Sequence, residues 1–110
     1  MFTPRWKGEQ TDLLMEALLC LENKEEAYRL LDDMLTIQEM KSITQRLEVA
    51  VMLRQKVTYQ EIAQRTGAST ATISRVNRSL QYGADGYNLA LNRLEAAGLI
   101  QQKEEKDSNV

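Results

Sequence analysis

The chain has 110 residues, 43% of them apolar and 27% charged, with one proline, five glycines and a formal net charge of -2. That length holds one domain, and the shortage of turn residues favours an all-α fold over a sheet. There is no histidine, and Cys20 is the single cysteine, so a Cys/His zinc site, a Ser/His or Cys/His nucleophile pair and an internal disulfide are all excluded. The expectation is a protein without catalytic, metal or cofactor sites. With no secretory signal and no run of about 18 apolar residues, it is also expected to be cytoplasmic and to keep off membranes.

A basic arm comes first, residues 1–10, with Trp6 between Arg5 and Lys7. Trp6 serves either DNA contact or packing on a partner subunit. The domain is expected over 11–100. Thr11 can cap a first helix with Leu13, Leu14, Ala17, Leu18 and Leu21 at helical spacing, and Asn23 opens a second with Ala27, Leu30, Leu31, Met34 and Leu35. Cys20 flanks the first stripe and reads as a small buried hydrophobe. Thr36 and Glu39 form a capping-box pattern at the start of a third helix. Its apolar face is Met40, Ile43, Leu47, Ala50 and Val51, and it ends near Gln55. The charge is strongly segregated along this path: nine acids against two bases from Glu9 to Glu39, then seven bases against two acids from Met40 to Tyr82.

Residues 58–80, TYQEIAQRTGASTATISRVNRSL, carry most of the functional signal. Thr58 with Glu61 again gives a capping box, Ile62 and Ala63 face inward, Gly67 permits a left-handed turn, and Ser69 caps a helix whose inward residues are Ile73, Val76 and Leu80. That pattern predicts a helix-turn-helix. Its second helix turns small groups outward, as a helix lying deep in the major groove requires. Ser69, Thr70, Ala71 and Ser74, with Gln60 from the preceding helix, are the base-reading candidates. Lys56, Arg75 and Arg78 are the backbone-contacting candidates, with Arg65 also at the rim. A helical protein-interaction module using the same scaffold is the alternative. A loop at Gly83, Asp85 and Gly86 leads to a last helix with Leu89, Leu91, Leu94 and Ala97, closed by Gly98; Leu99 and Ile100 are expected to pack back, and residues 101–110 to form a disordered tail.

The stretch opening MLTIQEMKSITQR and closing GASTATISRVNRSL resembles the Trp repressor superfamily, and the Leu31–Thr36 and Gly86–Asn88 regions look like its YerC/YecD branch. The resemblance implies an intertwined all-helical homodimer acting as a transcriptional repressor on a pseudopalindromic double-stranded DNA operator. Eight leucines between residues 11 and 35, more than one small domain can cover, agree with a dimer. The resemblance also implies an effector pocket: Arg46 and Arg75 match the residues that hold the ligand ring in tryptophan-binding members, and Thr36 and Ser79 match others that line it. Val76, however, stands where those members carry glycine, and a branched side chain there opposes a flat ligand. DNA binding without tryptophan is therefore expected, with some other small corepressor as the alternative.

Overall fold

A computed structural model describes residues 1–101, and among these there are six helices and no strand. The helices are α1 Glu9–Cys20, α2 Lys24–Met34, α3 Ile37–Arg54, α4 Tyr59–Thr66, α5 Thr70–Tyr82 and α6 Gly86–Ala96. They divide into two compact units, one ending at Met40 and the other beginning at Lys41, within the stretch that the sequence reading treats as one domain. Of the expected tail, only Gln101 is among the described residues.

The first unit shows why these helices begin where they do. Thr11 does not cap α1; it sits in the first turn, and its hydroxyl accepts the Gly8 N–H at 2.8 Å. Gly8 itself is the N-cap, so α1 starts at Glu9, three residues earlier than a cap at Thr11 would place it. Asn23 caps α2 as expected, its side chain accepting from the Glu26 N–H at 2.9 Å, while the Glu26 carboxylate accepts from the Glu22 N–H at 2.8 Å. The Thr36–Glu39 box is complete: each side chain accepts the other residue's backbone N–H, at 3.1 and 2.9 Å. No residue of α1 or α2 is buried, and Leu13, Leu18, Leu19 and Met34 are exposed. Cys20, expected to be buried, is exposed too.

The second unit holds the core. Val49, Ala50 and Met52 of α3, Ile62 of α4, Ala68 of the turn, Ile73 and Val76 of α5 and Leu91 of α6 are buried together. Full burial of a side chain such as Ile62, Ile73 or Leu91 contributes about 1.5–3 kcal/mol. Here the expected face of α3 needs correction. Ile43 and Leu47 are 48% and 40% exposed, because only the C-terminal half of that helix contributes buried residues to this core. Leu99 is also exposed, whereas Ile100 packs on the core as expected.

The ends of α3 and α6 share one device. Lys56, with φ +68°, donates its N–H to Leu53 O, and Val57 donates to Met52 O, both at 3.1 Å. Gly98, with φ +73°, and Leu99 repeat the arrangement onto Glu95 O and Leu94 O. Both are the paired carbonyl closures that a left-handed residue after a helix makes available. At Lys56 the residue is not glycine.

Candidate nucleic-acid interface

Residues 58–82 form a helix-turn-helix. Thr58 caps α4 by accepting from the Glu61 N–H at 3.2 Å, but the second half of the expected capping box is missing: the Glu61 carboxylate pairs with Arg65 at 3.5 Å instead. Gly67 takes φ +77°, the left-handed value expected of it. The turn is then bolted by Thr66, whose hydroxyl donates to Ile62 O at 2.7 Å and accepts from the Ala68 N–H at 3.1 Å. Gln45 of α3 donates to Thr66 O at 3.1 Å, which holds the turn against the longer helix. With Ile73 and Val76 in the core, the direction of α5 is fixed by packing.

The outward side of this unit carries the expected residues. Gln60 on α4, Ser69 at the cap and Thr70 and Ala71 in the first turn of α5 are exposed, and Ser74 is half-buried. Ser69 is partly committed: its hydroxyl accepts the Thr72 N–H and donates to Thr72 Oγ1, both at 3.1 Å. One lone pair is left for an outside donor. Lys56, Arg75 and Arg78 are exposed around this surface. Among the described residues none of the three is in an ion pair.

One further base of the segment is spent inside the protein. Arg54 is only 13% exposed in its side chain and pairs with Glu95 at 3.3 Å. Its guanidinium also donates to Asn92 Oδ1 at 2.7 Å and to Asn88 Oδ1 at 3.1 Å. Asn88 in turn donates to Leu80 O at 2.9 Å, so one guanidinium ties α6 to the end of α3 and, through Asn88, to the end of α5. Nothing in the sequence pattern marks Arg54 as different from its basic neighbours.

A cavity of about 370 Å³ opens beside α5, lined by Arg46, Arg75, Val76, Ser79 and Tyr87. Three of the four expected effector residues therefore meet. The fourth, Thr36, belongs to the first unit, where it caps α3. Val76 is 2% exposed, so most of its side chain lies in the core while it still forms part of the cavity wall. Tyr87, which the sequence reading placed only within the Gly86–Asn88 resemblance and gave no role, completes the lining.

The model of the family described as Trp repressor protein matches residues 9–95. The chain belongs to the Trp repressor family. It is 53% identical over 89 residues to the uncharacterized protein YerC of Bacillus subtilis (strain 168), covering 81% of this chain and 86% of that protein. A crystallised TrpR-like protein from Eubacterium eligens ATCC 27750 superposes with a TM-score of 0.79 at 50% identity, covering 87% of this chain and 96% of the other. A chain from Staphylococcus aureus, described as a candidate Trp repressor, superposes with a TM-score of 0.77 at 52% identity, covering 81% and 89%. The family is one of DNA-binding regulators, and among the described residues no helix is long and apolar enough to cross a membrane.

Proposed function

We propose that this member of the Trp repressor family is a sequence-specific transcriptional repressor that binds a pseudopalindromic operator as a cytoplasmic homodimer. The observation that carries the reading is the outward face of α4 and α5. Gln60, Ser69, Thr70, Ala71 and Ser74 present small hydroxyl, methyl and amide groups, and the same segment carries the exposed cations Lys56, Arg75 and Arg78, which have no ion pair among the described residues. In the major groove the small groups read base edges, and the cations hold phosphate. The exposed apolar residues Leu13, Leu18, Leu19, Met34, Ile37, Ile43 and Leu47 supply the surface for a second copy. The cavity at Arg46, Arg75 and Ser79 is the effector site in this reading. DNA binding in this reading does not require tryptophan.

Selection of bound DNA from a random pool, followed by salt titration of the recovered sequence, tests it. Recovered sites should contain two half-sites about one turn, roughly 34 Å, apart, and affinity should fall steeply with salt. Recovery of no common sequence, together with a flat salt dependence, would leave the protein-interaction module as the reading.

A further inference from the structure

The cavity beside α5 has an unusual donor inventory. Arg46 and Arg75 reach it from α3 and α5, Ser79 and Tyr87 add hydroxyls, and Val76 closes one wall. Among the described residues no carboxylate pairs with either guanidinium, and no hydrogen bond engages the Ser79 or Tyr87 hydroxyl. Two solvated surface arginines would need no further account if they diverged. These two, though exposed, line one half-open cavity together with two uncommitted hydroxyls, and no carboxylate is among the lining residues. A guanidinium cannot accept a hydrogen bond, so this lining is built to surround oxygen atoms carrying negative charge. Two fixed positive charges match two negative ones. The volume of about 370 Å³ lies at the small end of ligand cavities, and Val76 with the half-buried Tyr87 ring offers only a limited apolar surface.

We propose that this cavity binds a small organic or inorganic dianion, a dicarboxylate or a phosphate, and that its occupation releases DNA. The direction follows from one shared residue and rests on the functional reading above. Arg75 lines the cavity and is also a proposed phosphate contact of the recognition helix. A dianion held between Arg46 and Arg75 neutralises that guanidinium and competes with the operator for it. In a homodimer two phosphate contacts are lost, which near physiological salt corresponds to about a tenfold to thirtyfold loss of operator affinity. The empty protein is the DNA-binding form, and the ligand acts as an inducer.

The test measures operator binding by fluorescence anisotropy at constant ionic strength with succinate, inorganic phosphate or L-tryptophan added, alongside calorimetric titration of each into the free protein. Each variant is scored by the ratio of its operator affinities without and with ligand. The expected result is a ratio of about ten or more for at least one dianion, falling to one in Arg46→Ala and reduced in Tyr87→Phe. The phosphate and succinate arms separate the two ligand sources. A ratio of one for both dianions, a ratio that persists in Arg46→Ala, tighter operator binding on ligand addition, or a response to tryptophan alone would each overturn the inference. Failure of the ligand-free protein to bind any selected DNA would instead overturn the functional reading, and the inducer role with it, whereas intact DNA binding without a dianion response removes only the inference.

Discussion

Lys56 offers a test in which stability and DNA binding move in opposite directions. It closes α3 at φ +68°, where a side chain with a Cβ costs about 1–2 kcal/mol relative to right-handed backbone. Glycine removes that strain but gains freedom in the unfolded chain, a loss of about 0.5–1 kcal/mol. The difference leaves Lys56→Gly more stable by about 0.5–1 kcal/mol, or a rise in Tm of about 3–6 °C for a domain of this size. The same change deletes one proposed phosphate contact per protomer. The slope of log affinity against log salt should then fall by about 0.9 per lost contact, or about 1.8 for the dimer. Lys56→Ala is the control: it keeps the left-handed penalty while losing the charge, so it should reproduce the change in slope without the gain in Tm. Thermal unfolding followed by circular dichroism and anisotropy titrations from about 50 to 200 mM salt give both quantities. A glycine variant no more stable than the parent refutes the strain argument, and an unchanged slope refutes the phosphate contact.

The glycines at the α5–α6 junction should respond with opposite signs. A Cβ at Gly83 would lie 2.5 Å from the Ser79 carbonyl oxygen, so Gly83→Ala should cost about 1–3 kcal/mol by urea titration; Gly86 begins α6 with nothing within 4 Å of such a Cβ, and Gly86→Ala should gain about 0.5–1 kcal/mol in the same measurement. Arg54→Ala leaves the half-buried Glu95 without its cation and should cost about 3 kcal/mol, measured by the same urea midpoint. Leu91 is fully buried, and Leu91→Ala should cost about 2–5 kcal/mol by thermal unfolding; a loss below about 1 kcal/mol would mean the site is not the core position its burial implies.

The parts of this fold legible in the sequence are those written in short-range chemistry. Thr36, Thr58, Ser69 and Asn23 cap the helices that follow them, Gly67 takes its left-handed turn, and Ile62, Ile73 and Val76 are buried, all because a local pattern of hydroxyl, glycine and apolar spacing determines them. Tertiary context decided the rest. Ile43 and Leu47 fit the stripe of α3 as well as Ala50 does, but periodicity identifies a face and not which half of that face receives a neighbour. The cap of α1 was misplaced because a threonine can serve from the first turn, reaching back to a glycine that has no side chain of its own. In the candidate site, Arg46, Arg75 and Ser79 were found through family resemblance, while Tyr87 and Arg54 depend on contacts across dozens of residues that no local window contains.

The same distinction governs what charge can say about function. Counting signs along the chain marks residues 40–82 as basic, yet a count assigns every cation the same role. The structure separates them. Arg54 is drawn inward by Glu95, Asn88 and Asn92, and Arg65 is paired along α4 with Glu61. Lys41, Arg46, Lys56, Arg75 and Arg78 have no ion-pair partner among the described residues. Free cations set the salt dependence of DNA binding, because only they exchange counterions for phosphate. A paired internal guanidinium acts on affinity through the integrity of the domain, so its loss lowers the folded fraction and leaves the slope unchanged. Arg75 has a position that neither group shares, since the same exposed guanidinium is a proposed phosphate contact and lines the cavity beside α5. In a protein with no histidine to sense pH, that cation is where the proposed effector site and the proposed DNA contacts coincide.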